Sequence, residues 1–255
     1  VHIPSGAGSS SVAKILKERD IISYPLVFKL YTKFGDAPVY QKGGHNLRPD
    51  MSYEQIIAKL ESNPDFDTDT KKIVIPEGFE LRQIVDLLVE KGFGTKDGFM
   101  KEIEKGDFGY DFIDKTDRKE NRLEGYLYPD TYMFSIEETE HEIIAKMLSA
   151  FNEKVMPVYN SANSSHTLDE IITMASVIER EAANDEERPL VSSVFYNRIE
   201  KGMKLESCAT VQYILKERKD VLSNEDIAID SPYNTYMYEG LPVGPIASPG
   251  LNSIK

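Results

Sequence analysis

A short pattern occurs twice in this sequence and limits how the chain can be built. Ile3-Pro4-Ser5-Gly6 leads into a helical pattern carrying Val12, Ile15 and Leu16; Ile75-Pro76-Glu77-Gly78 leads into one carrying Ile84, Leu87 and Leu88. These positions meet their counterparts at one constant offset, and the apolar spacing is that of a single helix face. Each copy reads as a strand, a Pro-Gly turn and a helix of about three turns. Two copies are too few for a solenoid, whose units must stack to bury a core. One copy opening each of two domains is the arrangement that remains, and 255 residues suffice for it.

After the first copy, the sequence predicts a helix with Ser23 as N-cap and Pro25 in its first turn, then an extended stretch from Pro38 to Tyr40. A further helix follows Ser52, where Gln55 completes a capping box. This gives a small βααβ-like unit ending near Asp65, with the polar stretch Asn63 to Thr70 as linker. The fold class is α+β, with domains at 1–70 and 71–255. In the second domain Leu81 to Lys91 is helical and Gly92 closes it. An acidic, irregular region runs on to about Asn121. Tyr126 to Phe134 reads as a short strand, turn and strand, because Pro129 and Asp130 interrupt it. Helices follow at Glu138 to Lys154, Thr167 to Ala183 and Pro189 to Lys201, and Asp230 to Gly250 is expected to be mostly loop.

Acidic residues outnumber basic ones by 43 to 30, a formal charge of −13. That argues against a nucleic-acid groove, which needs a basic footprint, and disfavours electrostatic binding to anionic lipid. Cys208 is the single cysteine, so no internal disulfide or cysteine-rich zinc site can form. His141-Glu142 is followed by Ala145 where a zinc helix motif needs a second histidine. With no phosphate-cradling glycine loop either, no metal or cofactor is expected. The sequence opens at Val1 without a signal segment, and no apolar run approaches the roughly 18 residues that cross a bilayer. Either the protein is soluble or a membrane anchor lies upstream of Val1. Ser248 to Lys255 reads as a turn entering a helix, as though the C-terminus were truncated.

Three segments could carry chemistry. In the helix from Thr167 to Ala183, Leu168, Ile171, Ala175, Ile178 and Ala182 form an apolar stripe with Glu179 and Glu181 on opposite borders. Val177, Ile178 and Met174 lie behind Glu181, so its carboxyl is expected to lean on hydrocarbon and to hold its proton for general-acid work. A solvated border glutamate is the commoner outcome, and periodicity does not choose between the two acids. From Leu123 to Tyr132 every tyrosine falls on an even position, so an extended chain would present them together as a stacking face for sugars. An ordinary amphipathic strand has the same pattern. Ser231 to Tyr236 and Gly240 to Ala247 form a proline-rich loop that either lines a site or crosses the surface.

Four stretches in order, Glu124 to Tyr132, Met174 to Glu181, Val194 to Arg198 with Gly202-Met203, and Ser231 to Gly250, resemble the YceG-like family of endolytic murein transglycosylases. The resemblance covers nearly the whole chain, including a LysM-like N-terminal unit. It implies a single-pass membrane protein whose catalytic part faces the cell wall. Its essential glutamate is the second acid of an Ile-Glu-basic-Glu segment, here Glu181. The activity implied is lytic cleavage of the bond between N-acetylmuramic acid and N-acetylglucosamine in nascent glycan strands, leaving a 1,6-anhydro end. Peptidoglycan synthases (penicillin-binding proteins) are the implied protein partners. Glu124, Tyr126 and Asp130 are then cleft candidates, although Asp130 could equally cap a turn. Asn197, Thr210, Gln212 and Asn234 supply candidate dipoles for positive charge on the sugar. Cys208 stands where many relatives carry Asp, which leaves a second carboxylate without support there. Two other readings stay open: a non-catalytic wall-binding module, and a hydrolase with Glu179 or Asp185 as second acid.

Overall fold

The computed structural model describes residues 1–34, 38–65, 70–114 and 121–255 of a mixed α+β chain. The linker expected at Asn63 to Thr70 falls partly outside the described residues. Two compact units are present, Val1–Lys71 with Met133–Glu137, and Lys72–Tyr132 with Glu138–Lys255.

The first unit holds β1 (His2–Ile3), α1 (Ser9–Glu18), α2 (Pro25–Phe34), β2 (Gly43–Gly44) and α3 (Tyr53–Glu61). β1 and β2 pair antiparallel, His2 opposite Gly44 and Ile3 opposite Gly43. Ile3, Val12, Leu16, Phe28, Ile56 and Leu60 are buried together as its core. α3 begins as the sequence requires, with both halves of the Ser52–Gln55 capping box formed. α2 begins one residue later than Ser23 would allow. The Tyr24 carbonyl accepts the Phe28 amide, so Tyr24 occupies the capping position and Pro25 is the first helical residue, where its fixed φ is favourable. The strand expected at Pro38 to Tyr40 lies instead at the glycine pair of β2. Proline has no N–H to give to a ladder.

Next along the chain come β3 (Thr70–Val74), α4 (Leu81–Glu90), α5 (Lys96–Lys105), α6 (Asp111–Asp114), β4 (Thr131–Ser135), α7 (Glu140–Lys154) and α8 (Met156–Ser161). Then follow α9 (Leu168–Glu181), α10 (Arg188–Glu200), α11 (Cys208–Leu215), α12 (Asn224–Ile227) and α13 (Leu251–Ile254). β3 pairs with β4. The two copies of the repeat share one local geometry. Gly6 and Gly78 sit at φ +70° and +74°, a region glycine enters without penalty. Ile3 and Ile75, Val12 and Ile84, and Leu16 and Leu88 are buried pairwise.

Two expectations fail in instructive ways. The region read as irregular up to Asn121 contains α5, capped by Thr95 and burying just Phe99 and Ile103, too few apolar positions to declare a face. The strand expected at Tyr126 is a run of turns from 122 to 126, and the ladder begins at Thr131. Gly125, at φ +84° with Pro245 and Ile172 under 3 Å from where a Cβ would stand, breaks the extended chain. Tyr126, Tyr128 and Tyr132 are accordingly all buried. They form core and not an exposed stacking face.

α9 is the central helix of the second unit. Every residue from Ile172 to Ile178 is buried, because α10, α11 and α13 all pack on it. The expected single stripe is therefore too narrow. The tail beyond Asp230 is irregular, as expected, yet residues 244–250 are buried. Part of its backbone finds partners there: Gly78 donates to the Ser248 carbonyl, Ser248 to Phe79, and the Ile246 amide to Ser176 Oγ, which satisfies groups that could not otherwise leave water. Among the described residues no helix is long and apolar enough to cross a membrane.

Candidate active site

Three consecutive residues end α9, and steps of about 100° send their side chains to three different segments. Glu179 turns to the tail. Its carboxylate pairs with Arg188 at 2.9 Å and accepts the Gly250 amide at 3.0 Å and the Ser253 hydroxyl at 2.8 Å. With 7% of its side chain exposed, it is a structural clamp whose lone pairs are committed. Arg180 turns to the second repeat, donating to the Gly78 carbonyl and to Glu80 at 3.2 and 3.3 Å. Glu80 in turn takes Arg82 at 2.6 Å.

Glu181 turns to the start of α11 and remains exposed. The expected lean on hydrocarbon is not there. Instead Oε1 accepts the Ser207 hydroxyl and, at 3.2 Å, the Ala209 amide. The carboxylate thus caps the positive end of α11. Both bonds fall on Oε1, and among the described residues none is made by Oε2. The sequence could not show this, since the partners lie 26 and 28 residues away.

Behind Glu181 a buried hydroxyl network fixes Ser207. The Ser207 amide donates to Thr235 Oγ1 at 3.0 Å, and Thr210 Oγ1 lies 2.9 Å from Thr235 Oγ1 and donates to the Ser207 carbonyl at 2.8 Å. Asn234 shapes the same loop, donating to the Ile227 and Ile229 carbonyls and accepting the Tyr236 amide. In front, the Cys208 thiol lies 3.1 Å from the Tyr236 hydroxyl. Burial, then Cys208 and Glu181, push the Tyr236 phenol up to about 12. Thr210 and Asn234 are thus brought close to Glu181, but as buried supports. Ser207, Thr235 and Tyr236 were not singled out from sequence. A serine directly before the helix at Cys208 was the signal available for the first.

The other sequence candidates are placed elsewhere. Gln212, on α11, gives its amide to the Lys219 carbonyl, and Asn197 stands exposed on α10. Asp130 caps its own turn through the Thr131 amide and pairs with Lys154. Tyr126 bonds Asp169 at 2.7 Å, stacks on Phe112 and meets the Phe151 ring at a tilt. Glu124 is buried at the floor of a cavity of about 500 Å³, accepting the Leu81 amide and the Tyr213 hydroxyl at 2.9 and 3.0 Å. Burial pushes its carboxyl up to about 8. Among the described residues no group of three or more acidic, histidine or cysteine side chains is placed to hold a metal ion.

Comparison with known proteins places these features in a family. Residues 1–255 match the model of the YceG-like family throughout. An endolytic murein transglycosylase of Bacillus subtilis (strain 168) is 34% identical over 265 residues, covering 99% of this chain and 73% of that protein. One from Streptococcus pneumoniae (strain D39) is 30% identical over 283 residues, and the chain spans 51% of its length. A crystal structure of a yceG-like protein from Listeria monocytogenes matches with a TM-score of 0.66 at 32% identity, covering 100% of this chain and 87% of that one. The chain belongs to the YceG-like family.

Proposed function

We propose that this chain is an endolytic lytic transglycosylase of peptidoglycan in which Glu181 acts as both acid and base. One observation supports Glu181 above its neighbour. Glu179 is locked in an ion pair and two further bonds, whereas Glu181 is exposed and has Oε1 anchored with Oε2 left to face a substrate. Oε2 would give its proton to the oxygen joining N-acetylmuramic acid to N-acetylglucosamine. The C1–O bond breaks, and an oxocarbenium-like sugar develops. The carboxylate then takes the proton of the C6 hydroxyl as O6 bonds to C1 and closes the 1,6-anhydro ring. Ring closure within the sugar needs no captured water, an effective-molarity advantage.

Ser207 and the Thr210–Thr235 pair behind it hold the carboxylate in place, and the Tyr236 phenol stands close enough to feel its charge. The LysM-like first unit, a membrane anchor and work beside peptidoglycan synthases belong to the same proposal. Co-purification from solubilised membranes tests the last two. The decisive assay is mass spectrometry of digested peptidoglycan. New ends lighter by one water and inert to borohydride are expected. Reducible ends would make the enzyme a hydrolase, and no new ends would make the chain a wall-binding module. Glu181→Gln should lose on the order of 10²–10⁴ in rate while keeping its thermal midpoint. An active Glu181→Gln protein would remove the assignment.

A further inference from the structure

The first unit turns an apolar helix face to solvent. Phe28 and Thr32 of α2 are buried in the unit, whereas Leu26, Val27, Leu30 and Tyr31 of the same helix are exposed, the two leucines at 78% and 54%. At 100° per residue these four fan over about 140° of the helix surface. Lys33 and Lys29 follow on one border of the fan. At the far side Tyr31 donates its hydroxyl to Glu54 at 2.8 Å. Tyr24, exposed before the first turn, carries the patch past the N-terminus of the helix. One apolar stripe is enough to hold a surface helix to its own core, so the outward one has another use.

Size, shape and charge restrict what covers it. The five side chains expose on the order of 500 Å², a size at which apolar patches are often functional, yet short of the roughly 800 Å² each partner buries in a stable protein pair. A leucine with 78% of its surface in solvent stands proud of its neighbours. Sugars and small ligands take concave sites, whereas a lipid surface yields around a ridge. Aliphatic side chains in the middle, a tyrosine at each end and lysines along one border are the composition of a helix lying in the plane of a bilayer interface. The local charge agrees. Residues 1–71 hold nine basic and nine acidic side chains, so the whole of the −13 falls beyond them. Repulsion between that excess and anionic lipid is screened within about 10 Å and is not centred on α2.

We infer that the outward face of α2 is a docking surface for an anionic phospholipid bilayer, with Leu26 and Leu30 entering the acyl boundary and Lys29 and Lys33 among the headgroup phosphates. The contact needs neither a membrane-spanning segment nor the chemistry at Glu181, so it stands or falls apart from the transglycosylase reading. Four or five side chains give weak, reversible binding that grows with the share of anionic lipid. It holds the first unit flat against the bilayer.

The test is flotation of the 255-residue chain with vesicles of equal parts phosphatidylglycerol and phosphatidylcholine, and with vesicles of phosphatidylcholine alone. The chain should float with both and more with the first. Leu26→Gln and Leu30→Gln should each weaken binding about tenfold. Both side chains point outward, so the thermal midpoint should not move. Lys29→Gln with Lys33→Gln should remove the preference for phosphatidylglycerol and leave binding to phosphatidylcholine. The chain has no tryptophan, so Leu30→Trp introduces a single reporter. Its emission should move to the blue on adding vesicles and be quenched by brominated acyl chains, which a merely structural leucine would not predict. No flotation of the unaltered chain, equal flotation of the glutamine variants, or unmoved tryptophan emission would overturn the inference. So would a concentration-dependent dimer abolished by Leu30→Gln, which would assign the face to a second copy, or glycan-strand binding lost in the same variant, which would assign it to sugar.

Discussion

Replacing Glu124 with glutamine should remove a pH dependence from the stability of this protein. The carboxyl is buried, and burial pushes it up to about 8 from an ordinary 4.5, against the opposing pull of the Leu81 amide and the Tyr213 hydroxyl; Glu80 adds to the rise. The folded state therefore binds a proton across that window which the unfolded state releases. Stability from this group is fully present below about pH 4.5 and is lost as pH rises towards 8, at about 1.4 kcal/mol per unit. Between pH 6 and 8 the loss is about 2–3 kcal/mol, a fall of about 5–10 °C in Tm for a domain of this size. Glutamine mimics the neutral acid: its oxygen accepts the Leu81 amide and its NH₂ donates to the Tyr213 oxygen. Scanning calorimetry of both proteins from pH 5 to 9 should show matching midpoints at the acid end and a more stable Glu124→Gln protein above pH 8. Parallel curves, or a variant destabilised equally at every pH, would refute the reasoning.

Other substitutions test the frame around Glu181. Glu179→Gln should destabilise by about 1.5–3 kcal/mol, because the Arg188 guanidinium, 11% exposed, loses one charged partner and keeps Asp185 and Ser253; urea titration reads this directly. Gly125→Ala should cost roughly 1–3 kcal/mol, since a left-handed backbone and a Cβ 2.6 Å from Pro245 must both be accommodated. Ser207→Ala should lower kcat about tenfold with KM little changed, as Glu181 loses one of its two anchors and a charged hydrogen bond of about 1.5–3 kcal/mol. A KM effect without a kcat effect would point to substrate contact.

Legibility in the sequence followed the range of the interactions. The repeat, the Ser52 cap and the helix ending at Gly92 rest on contacts within a few residues, so periodicity and turn chemistry showed them. α5 was hidden because a helix burying two apolar side chains has almost no periodic signal. The tyrosines of Leu123 to Tyr132 were misread because period-two spacing does not distinguish a strand from turns wrapped around a core, and Gly125 makes them turns. The choice between Glu179 and Glu181 depends on Gly250, Ser253, Ser207 and Ala209. Spacing along one helix has no access to partners that far away. Family resemblance pointed to Glu181, and the three-way ending of α9 is the observation on which the proposal of Glu181 rests.

That ending has a consequence for how the sequence can change. One turn of helix fastens the tail, the second repeat and the head of α11 through neighbouring side chains, so the three fastenings share a single angular register. Inserting or deleting one residue upstream in α9 would rotate all of them by about 100° together. Glu179 would face away from Arg188, Arg180 away from Glu80, and Glu181 away from Ser207. Substitutions at the surface of this unit can accumulate one at a time, but a change in the length of α9 would undo three junctions in one step. Length variation between relatives should therefore fall in the loops that flank this helix, leaving the fourteen residues from Leu168 to Glu181 without insertions.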